Sequence, residues 1–550
     1  MTLKAAAFLA LLSFSTLDLS TARRTFHEVA GCYPDLLEVG AEELVAGLES
    51  GAWTSVELTK AYILRIVETN SVLRAVTEIN PDALSIAAAL DAERANGTIR
   101  SALHGIPMLI KNNIATNDQM NNTAGSYSLL GAKVPRDATV ASKLRRAGVV
   151  LLGKSNLSQW ANFRSSNSSN GWSAHGGQVT GAYYPNMDPS GSSSGSGVGS
   201  SIGLAFAALG TETDGSIVSP SSANNLVGIK PTVGLTSRSL VIPISEHQDT
   251  VGPMARSVSD AAYVLSIIAG KDENDNYTRA QPWDAPPDYT QALNFSSLRG
   301  ARIGIPRNGF TQGPTDQPIF DAFDAAIQIL KNAGATIVDN ANFSAWDEVV
   351  TDDDAIRGNG TTVLEADFIS NLASYLSQLT SNPNNIRSLS DKSNFTHHTA
   401  PEEYPNRNTA VWDQSLSLGY NNSDSRFWEA YQYSFSFGGE GGVLGALKAH
   451  NLDALVLPTD YSPGVPARAG LPIITVPMGF YPSNTTVMES RRGLVTVGPN
   501  IPFGLSFLGA QWPEETLIGF AYAFEQRTHS RRKVKPFLKP STQLADVIST

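Results

Sequence analysis

One lysine and two serines carry the chemistry that can be read from this sequence. Ser216 closes the short motif Thr213-Asp214-Gly215-Ser216, and Ser192, Ser193 and Ser194 lie 24 to 22 residues before it in a Gly/Ser run, Ser190–Gly197. A serine is a poor nucleophile until a base takes its proton. Glycine beside it lets backbone N–H groups face a developing oxyanion without a side chain in the way. A second hydroxyl, from Ser192, Ser193 or Ser194, can relay the proton to a final base, which must be His or Lys. Two lysines are placed for this. Lys111 ends the apolar run from Gly105, and Lys154 ends the run Gly148–Gly153. Burial at a strand mouth lowers a lysine pKa from about 10.4 toward 7–8, which leaves neutral amine to act as base. Spacing does not choose between them, and a tight structural turn is the alternative reading of the Gly/Ser run.

Neighbouring motifs exclude other chemistries. No Gly-x-Ser-x-Gly elbow surrounds Ser216, which disfavours an α/β-hydrolase site. No Gly-Lys-Ser/Thr follows Gly197, so the run is not a phosphate-binding loop. His175 and His247 lack metal-ligand spacing and read as satisfied structural or surface histidines. Ser193 reads as a supporting turn residue, and Asp214 as one that orients the loop.

The elements that must hold these residues follow an α/β pattern. Short apolar runs at 107–110, 149–152, 302–305, 335–338, 454–457 and 473–476 read as buried strands. Helical patterns such as 138–147 and 319–333 separate several of them, which implies one α/β unit around a mixed, largely parallel sheet. Thr54-Ser55-Val56-Glu57 reads as a capping box that starts a helix. The apolar segment between Ser194 and Ser216 reads as the helix that fixes their separation. Residues of about 340–440 are rich in Asn, Ser and Thr with scattered aromatics, and read as an insertion near a substrate entrance.

Bulk properties narrow the function classes. The 550-residue chain carries a net charge of −11, with no clustered Lys/Arg surface for nucleic acid. The Arg531-Arg532-Lys533 run reads as a solvated turn. Cys32 is the one cysteine, so no intramolecular disulfide or Cys-based metal site forms. Lys4, an apolar run from Ala5 to Phe14 and small residues at Ser20 and Ala22 read as a signal peptide over residues 1–22. No later run is long enough for stable membrane insertion. Sequons start at Asn96, Asn121, Asn167, Asn276, Asn294, Asn342, Asn359, Asn394, Asn421 and Asn484, which favours a secreted glycoprotein. A further sequon at Asn156 follows an apolar run and reads as buried and unused.

Several segments together resemble the amidase signature family. They are Gly105-Ile-Pro-Met-Leu-Ile-Lys111, Ser190-Gly-Ser-Ser-Ser-Gly-Ser-Gly197, Gly210-Thr-Glu-Thr-Asp-Gly-Ser-Ile217 and Gly228-Ile-Lys-Pro-Thr-Val-Gly234, with Asp249-Thr-Val-Gly-Pro-Met254 and Pro502-Phe-Gly-Leu-Ser506. The resemblance covers nearly all of residues 23–550, with a signature core of about 105–260, and implies a single large domain with helices on both faces of the sheet. It implies a Ser–cis-Ser–Lys triad: Ser216 the nucleophile, Ser192 the bridge after a cis bond at Gly191, Lys111 the base. It assigns oxyanion donation to the N–H groups of Thr213, Asp214, Gly215 and Ser216, and gives Lys154 a structural role. No metal or organic cofactor is implied. Two positions depart from the family pattern. Asn112 stands where an Asp commonly follows the lysine, which would alter the electrostatics around Lys111. Val218 replaces an Arg found in the glutamine-dependent amidotransferases of the family. The Gly210–Ile217 form is similar to bacterial peptide amidases and related fungal amidases. The expected function is a secreted amidase acting on small or peptide amides through an acyl-enzyme. An esterase or fatty-acid-amide hydrolase with the same triad, and a binding protein without turnover, are the alternatives. The oligomeric state stays open.

Overall fold

The computed structural model describes residues 33–310, 312–346 and 353–548, with backbone alone for 353–361. The expected signal peptide, Cys32 and the Asn359 side chain lie outside the described residues. Eleven strands form one sheet. In chain order they are β1 (Val76–Ile79), β2 (Pro107–Lys111), β3 (Val150–Ser155), β4 (Ala208–Glu212), β5 (Val227–Lys230), β6 (Thr250–Ala255), β7 (Arg302–Ile305), β8 (Thr336–Asp339), β9 (Ala454–Pro458), β10 (Ile473–Phe480) and β11 (Pro502–Leu508). Their spatial order is β1-β3-β2-β4-β6-β5-β10-β11-β9-β7-β8. The sheet is mixed. Parallel pairs gather in two groups, β3-β2-β4 and β9-β7-β8, and antiparallel pairs join the rest.

All six strands read from apolar runs are present. The five that were not read, β1, β4, β5, β6 and β11, carry Gly, Thr, Ser, Glu or Pro within short apolar stretches. Strands β2, β3, β4, β5, β6, β9 and β11 are buried at every residue, so helices and loops cover both faces. The capping box forms as read: Thr54 accepts from Glu57 N–H, and the Glu57 carboxylate accepts from Thr54 N–H at 2.8 Å.

The apolar segment before Ser216 is not a helix. The Gly/Ser residues themselves form one, Ser194–Ser201, and all eight are buried. Gly203 (φ +66°) then turns the chain, and the apolar residues enter β4 at the middle of the sheet. Small residues are needed here because the helix lies almost on the strands. A Cβ at Gly195 would sit 2.2 Å from Ala75 O and 2.6 Å from Asn156 N. Three arginines collect the carbonyls at the far end. Arg65 donates to Gly203 O (2.6 Å) and Ile202 O (2.9 Å), Arg256 to Ser200 O and Ala205 O (both 3.0 Å), and Arg531 to Ser201 O (2.7 Å). Arg531, read as part of a solvated turn, is therefore buried, and cations suit the carboxyl end of a helix.

The 340–440 segment is mainly helical: Asp353–Ser377, Leu389–His398, Ala410–Ser417 and Ser425–Gly438. Trp412 Nε1 donates to Phe163 O at 2.6 Å, and Phe368 stacks edge-on against Phe163 at 4.9 Å, so the segment docks on the loop after β3. No described helix is long and apolar enough to cross a membrane. Asn156 is fully buried, and Asn121 is half-buried with Nδ2 held by Glu78.

Candidate active site

Parallel pairing puts Leu109 opposite Ala208 and Ile110 opposite Leu209. That register brings Lys111, at the carboxyl end of β2, beside Thr211 in β4. Lys111 Nζ lies 2.8 Å from Ser192 Oγ, 2.9 Å from Thr211 Oγ1 and 3.1 Å from Thr211 O. The side chain is fully buried. Burial lowers its pKa to about 7, and the charges of Asp249 and Glu212 oppose that shift.

The serine turn reaches Lys111 through a tightly packed entry. Asp188 Oδ1 accepts from Ser190 N–H at 2.8 Å, and Ser190 is left-handed at φ +58°. The Gly191–Ser192 peptide is cis. Gly191 is required by space, since a Cβ there would lie 2.5 Å from Ser158 Oγ. Ser158 N–H donates to Ser192 O at 3.0 Å. Of the three candidate hydroxyls, Ser192 alone meets Lys111. Ser193 Oγ donates to Thr211 O at 3.1 Å, and Ser194 Oγ to Ser190 O at 2.6 Å. Ser193 N–H donates to Ser216 O at 3.2 Å, which ties the two serine segments together.

The Thr213–Ser216 loop is shaped from beneath by Glu212. This buried carboxylate accepts from Gly215 N–H (2.9 Å), Ile217 N–H (2.7 Å) and Val218 N–H (3.0 Å). Thr213 Oγ1 donates to Asp249 Oδ1 at 2.5 Å. Gly215 is left-handed at φ +79° and packs on Pro463. Ser216 is 8% exposed, while Asp214 stands exposed at the rim. Among the described residues, no protein acceptor takes the N–H of Thr213, Asp214 or Ser216; the Gly215 N–H, counted with them from the sequence, is held by Glu212.

Lys154 meets the same burial, which lowers its amine to about 7 as well. Its partners are Asn122 Oδ1 at 2.8 Å and Ile114 O, neither a hydroxyl, so nothing beside it can pass a proton on. Asn112 leaves Asp249 and Glu212 as the charges acting on Lys111. Its amide turns away, accepting from Thr123 N–H (3.0 Å) and donating to Thr77 Oγ1 (3.1 Å). Val218 packs in an apolar cluster with Phe437 and Val465.

Of the two histidines, His247 is hydrogen-bonded as read, and His175 is not at Nδ1. Buried His175 Nδ1 has no hydrogen-bond partner. His247 Nδ1 pairs with Asp367 at 2.8 Å, and the ring packs against Tyr431 at 4.3 Å. Glu246, His247 and Asp367 thus converge across 120 residues, and Asn422 Nδ2 bridges the two carboxylates at 3.0 and 2.9 Å. The groups missed in the sequence are Thr211, Glu212, Asn113 and Asp249. Thr211 and Glu212 end the strand Ala208–Glu212, and Asn113 and Asp249 lie just outside the neighbouring strands, after Lys111 and before Thr250.

A mixed sheet that sets a buried lysine–serine pair beside a loop of outward N–H groups is the scaffold of an amide-cleaving hydrolase, and the comparisons agree. The family model described as Amidase matches residues 57–518. A protein of Arthroderma benhamiae named "Putative amidase" is 54% identical over 94% of this chain and 90% of its own length. A Schizosaccharomyces pombe protein, also named a putative amidase, is 38% identical over 90% of this chain and 86% of its own. The structure of native peptide amidase from Stenotrophomonas maltophilia superposes with a TM-score of 0.80 at 39% identity, over 92% of this chain and 99% of that one. The chain belongs to the amidase family, and it is an amide-hydrolysing enzyme.

Proposed function

We propose that this enzyme hydrolyses carboxylic or peptide amides through a Ser216–Ser192–Lys111 triad. The observation that carries the reading is the 2.8 Å contact between Lys111 Nζ and Ser192 Oγ, made by an amine that burial lowers to about 7. Neutral Lys111 takes the Ser192 proton as Ser192 takes that of Ser216. Ser216 Oγ bonds to the amide carbon, and the oxyanion faces the N–H groups of Thr213, Asp214 and Ser216. The proton returns through Ser192 to the leaving nitrogen, the C–N bond breaks, and ammonia or an amine departs. Water then adds to the acyl-enzyme by the same relay and releases the acid and Ser216. The similarity to peptide amidase supports a peptide amide as substrate. Val218, in place of the Arg of the amidotransferases, supports a free hydrolase.

Ser216→Ala is expected to abolish ammonia release, and Lys111→Ala to lower it nearly as far. Most of the wild-type rate surviving in either purified variant would sink the triad. A panel of aliphatic, aromatic, peptide and fatty amides, with matched esters, reports the substrate class. A fluorophosphonate probe should label Ser216.

The residue 1–22 pattern and the exposed sequons at Asn96, Asn276, Asn294, Asn342, Asn394 and Asn484 support secretion as a glycoprotein. Intact mass of the protein from culture medium, before and after an endoglycosidase, tests this reading; an unchanged mass goes against it.

A further inference from the structure

We propose that Asn113 is a positioning residue that sets the proton polarity of the Lys111 amine, acting through Thr211 and one water held in the void beside them. The inference rests on Lys111 being the base. A neutral amine has two N–H bonds and one lone pair, and catalysis needs the lone pair aimed at Ser192 Oγ. Its three neighbours are Ser192 Oγ, Thr211 O and Thr211 Oγ1. The carbonyl can only accept, so it takes one N–H. The outcome turns on Thr211 Oγ1, which can accept the second N–H or donate its own proton into the lone pair. The second choice would draw the lone pair off Ser192.

Asn113 decides between them. Its amide nitrogen lies 3.0 Å from Thr211 Oγ1 and 3.5 Å from Ile242 O. Ile242 O accepts only, so the NH2 group must face both atoms and Thr211 Oγ1 accepts from Asn113. The Thr211 proton then needs another outlet. A void of about 10 Å³ adjoins, lined by Asn113, Thr211, Thr213 and Asp249 among others, and is the size of a single water. Asn113 is 2% exposed, and its Oδ1 has no protein partner. A water in the void accepts from Thr211 O–H and donates to Asn113 Oδ1. Both lone pairs of Thr211 Oγ1 then serve Asn113 and Lys111, and the amine lone pair is left for Ser192.

The charged groups acting on Lys111 are Glu212 and Asp249. Asn113→Asp would add a third carboxylate, so the acid limb of kcat/KM should move up by at least about half a pH unit. Asn113→Ala should lower kcat by about tenfold to a hundredfold, part of the general-base contribution, with KM within about twofold. Thr211→Val should behave like Asn113→Ala, and Thr211→Ser should restore most of the rate. The inference fails if Asn113→Ala keeps kcat within twofold of wild type, or if the acid limb of Asn113→Asp does not move. If Lys111→Ala stays active, the base assignment itself falls; if Lys111→Ala is dead and the Asn113 variants are normal, only this inference falls.

Discussion

Lys111 and Lys154 show that burial alone does not make a base. Both amines are lowered to about 7, and the acceptors around them separate the roles. The pH profile should report Lys111 and not Lys154. Below about 7 the amine is protonated and cannot accept, so kcat/KM for a neutral amide should fall about tenfold per pH unit there and level off above. An acid limb near 4–5 would point to a carboxylate base instead. Lys154→Met strands two buried acceptors and should cost about 1–3 kcal/mol of stability, read as a lower denaturation midpoint, with the acid limb unmoved. Glu212 is a second residue-scale test. Glu212→Gln leaves one side-chain oxygen for three N–H donors and should lower kcat at least about tenfold, measured by ammonia release, as loss of oxyanion-loop geometry does.

The Ser194–Ser201 helix is held by absent side chains on one side and by guanidinium groups at its end. Gly195→Ala drives a methyl into the Ala75 and Asn156 backbone and should cost about 1–3 kcal/mol of stability, read as a lower denaturation midpoint. This element was also the hardest to read in the sequence. Its Gly and Ser residues have poor helix propensity and no apolar periodicity, so the neighbouring apolar run drew the helical reading instead. The end of that run, from Ala208, is strand because it fills the sheet between β2 and β6, and the residues before it form the turn that leads there. The flanking strands β7, β8, β9 and β10 were legible as plain apolar runs. Of the two strands that carry the site, β2 with Lys111 was equally legible, whereas β4, which ends in Thr211 and Glu212, was not. The lysine, both serines and their loop were legible as motifs. The roles of Thr211 and Asn113 come from contacts across about 100 residues of chain, which no local pattern encodes.

Across the whole molecule, the 340–440 helices are joined to the core partly through Lys392. Its amine is fully buried without a hydrogen-bond partner, 3.8–4.0 Å from the ring centres of Trp160, Phe368 and Trp412. Burial pushes its pKa well below the ordinary range. Lys392→Met keeps the shape without the desolvated amine and should add about 1–3 kcal/mol of stability, read as a higher denaturation midpoint. A lower midpoint would mean that the charged form, held by the rings, stabilises the fold. The arginine bracket joins still more distant parts, since Arg65, Arg256 and Arg531 meet at one helix end. A ribosome builds the chain from its amino end, so Lys111, Ser192 and Ser216 all emerge hundreds of residues before Arg531. The nascent polypeptide therefore carries these residues, with Arg65 and Arg256, before the third arginine of the bracket has been made.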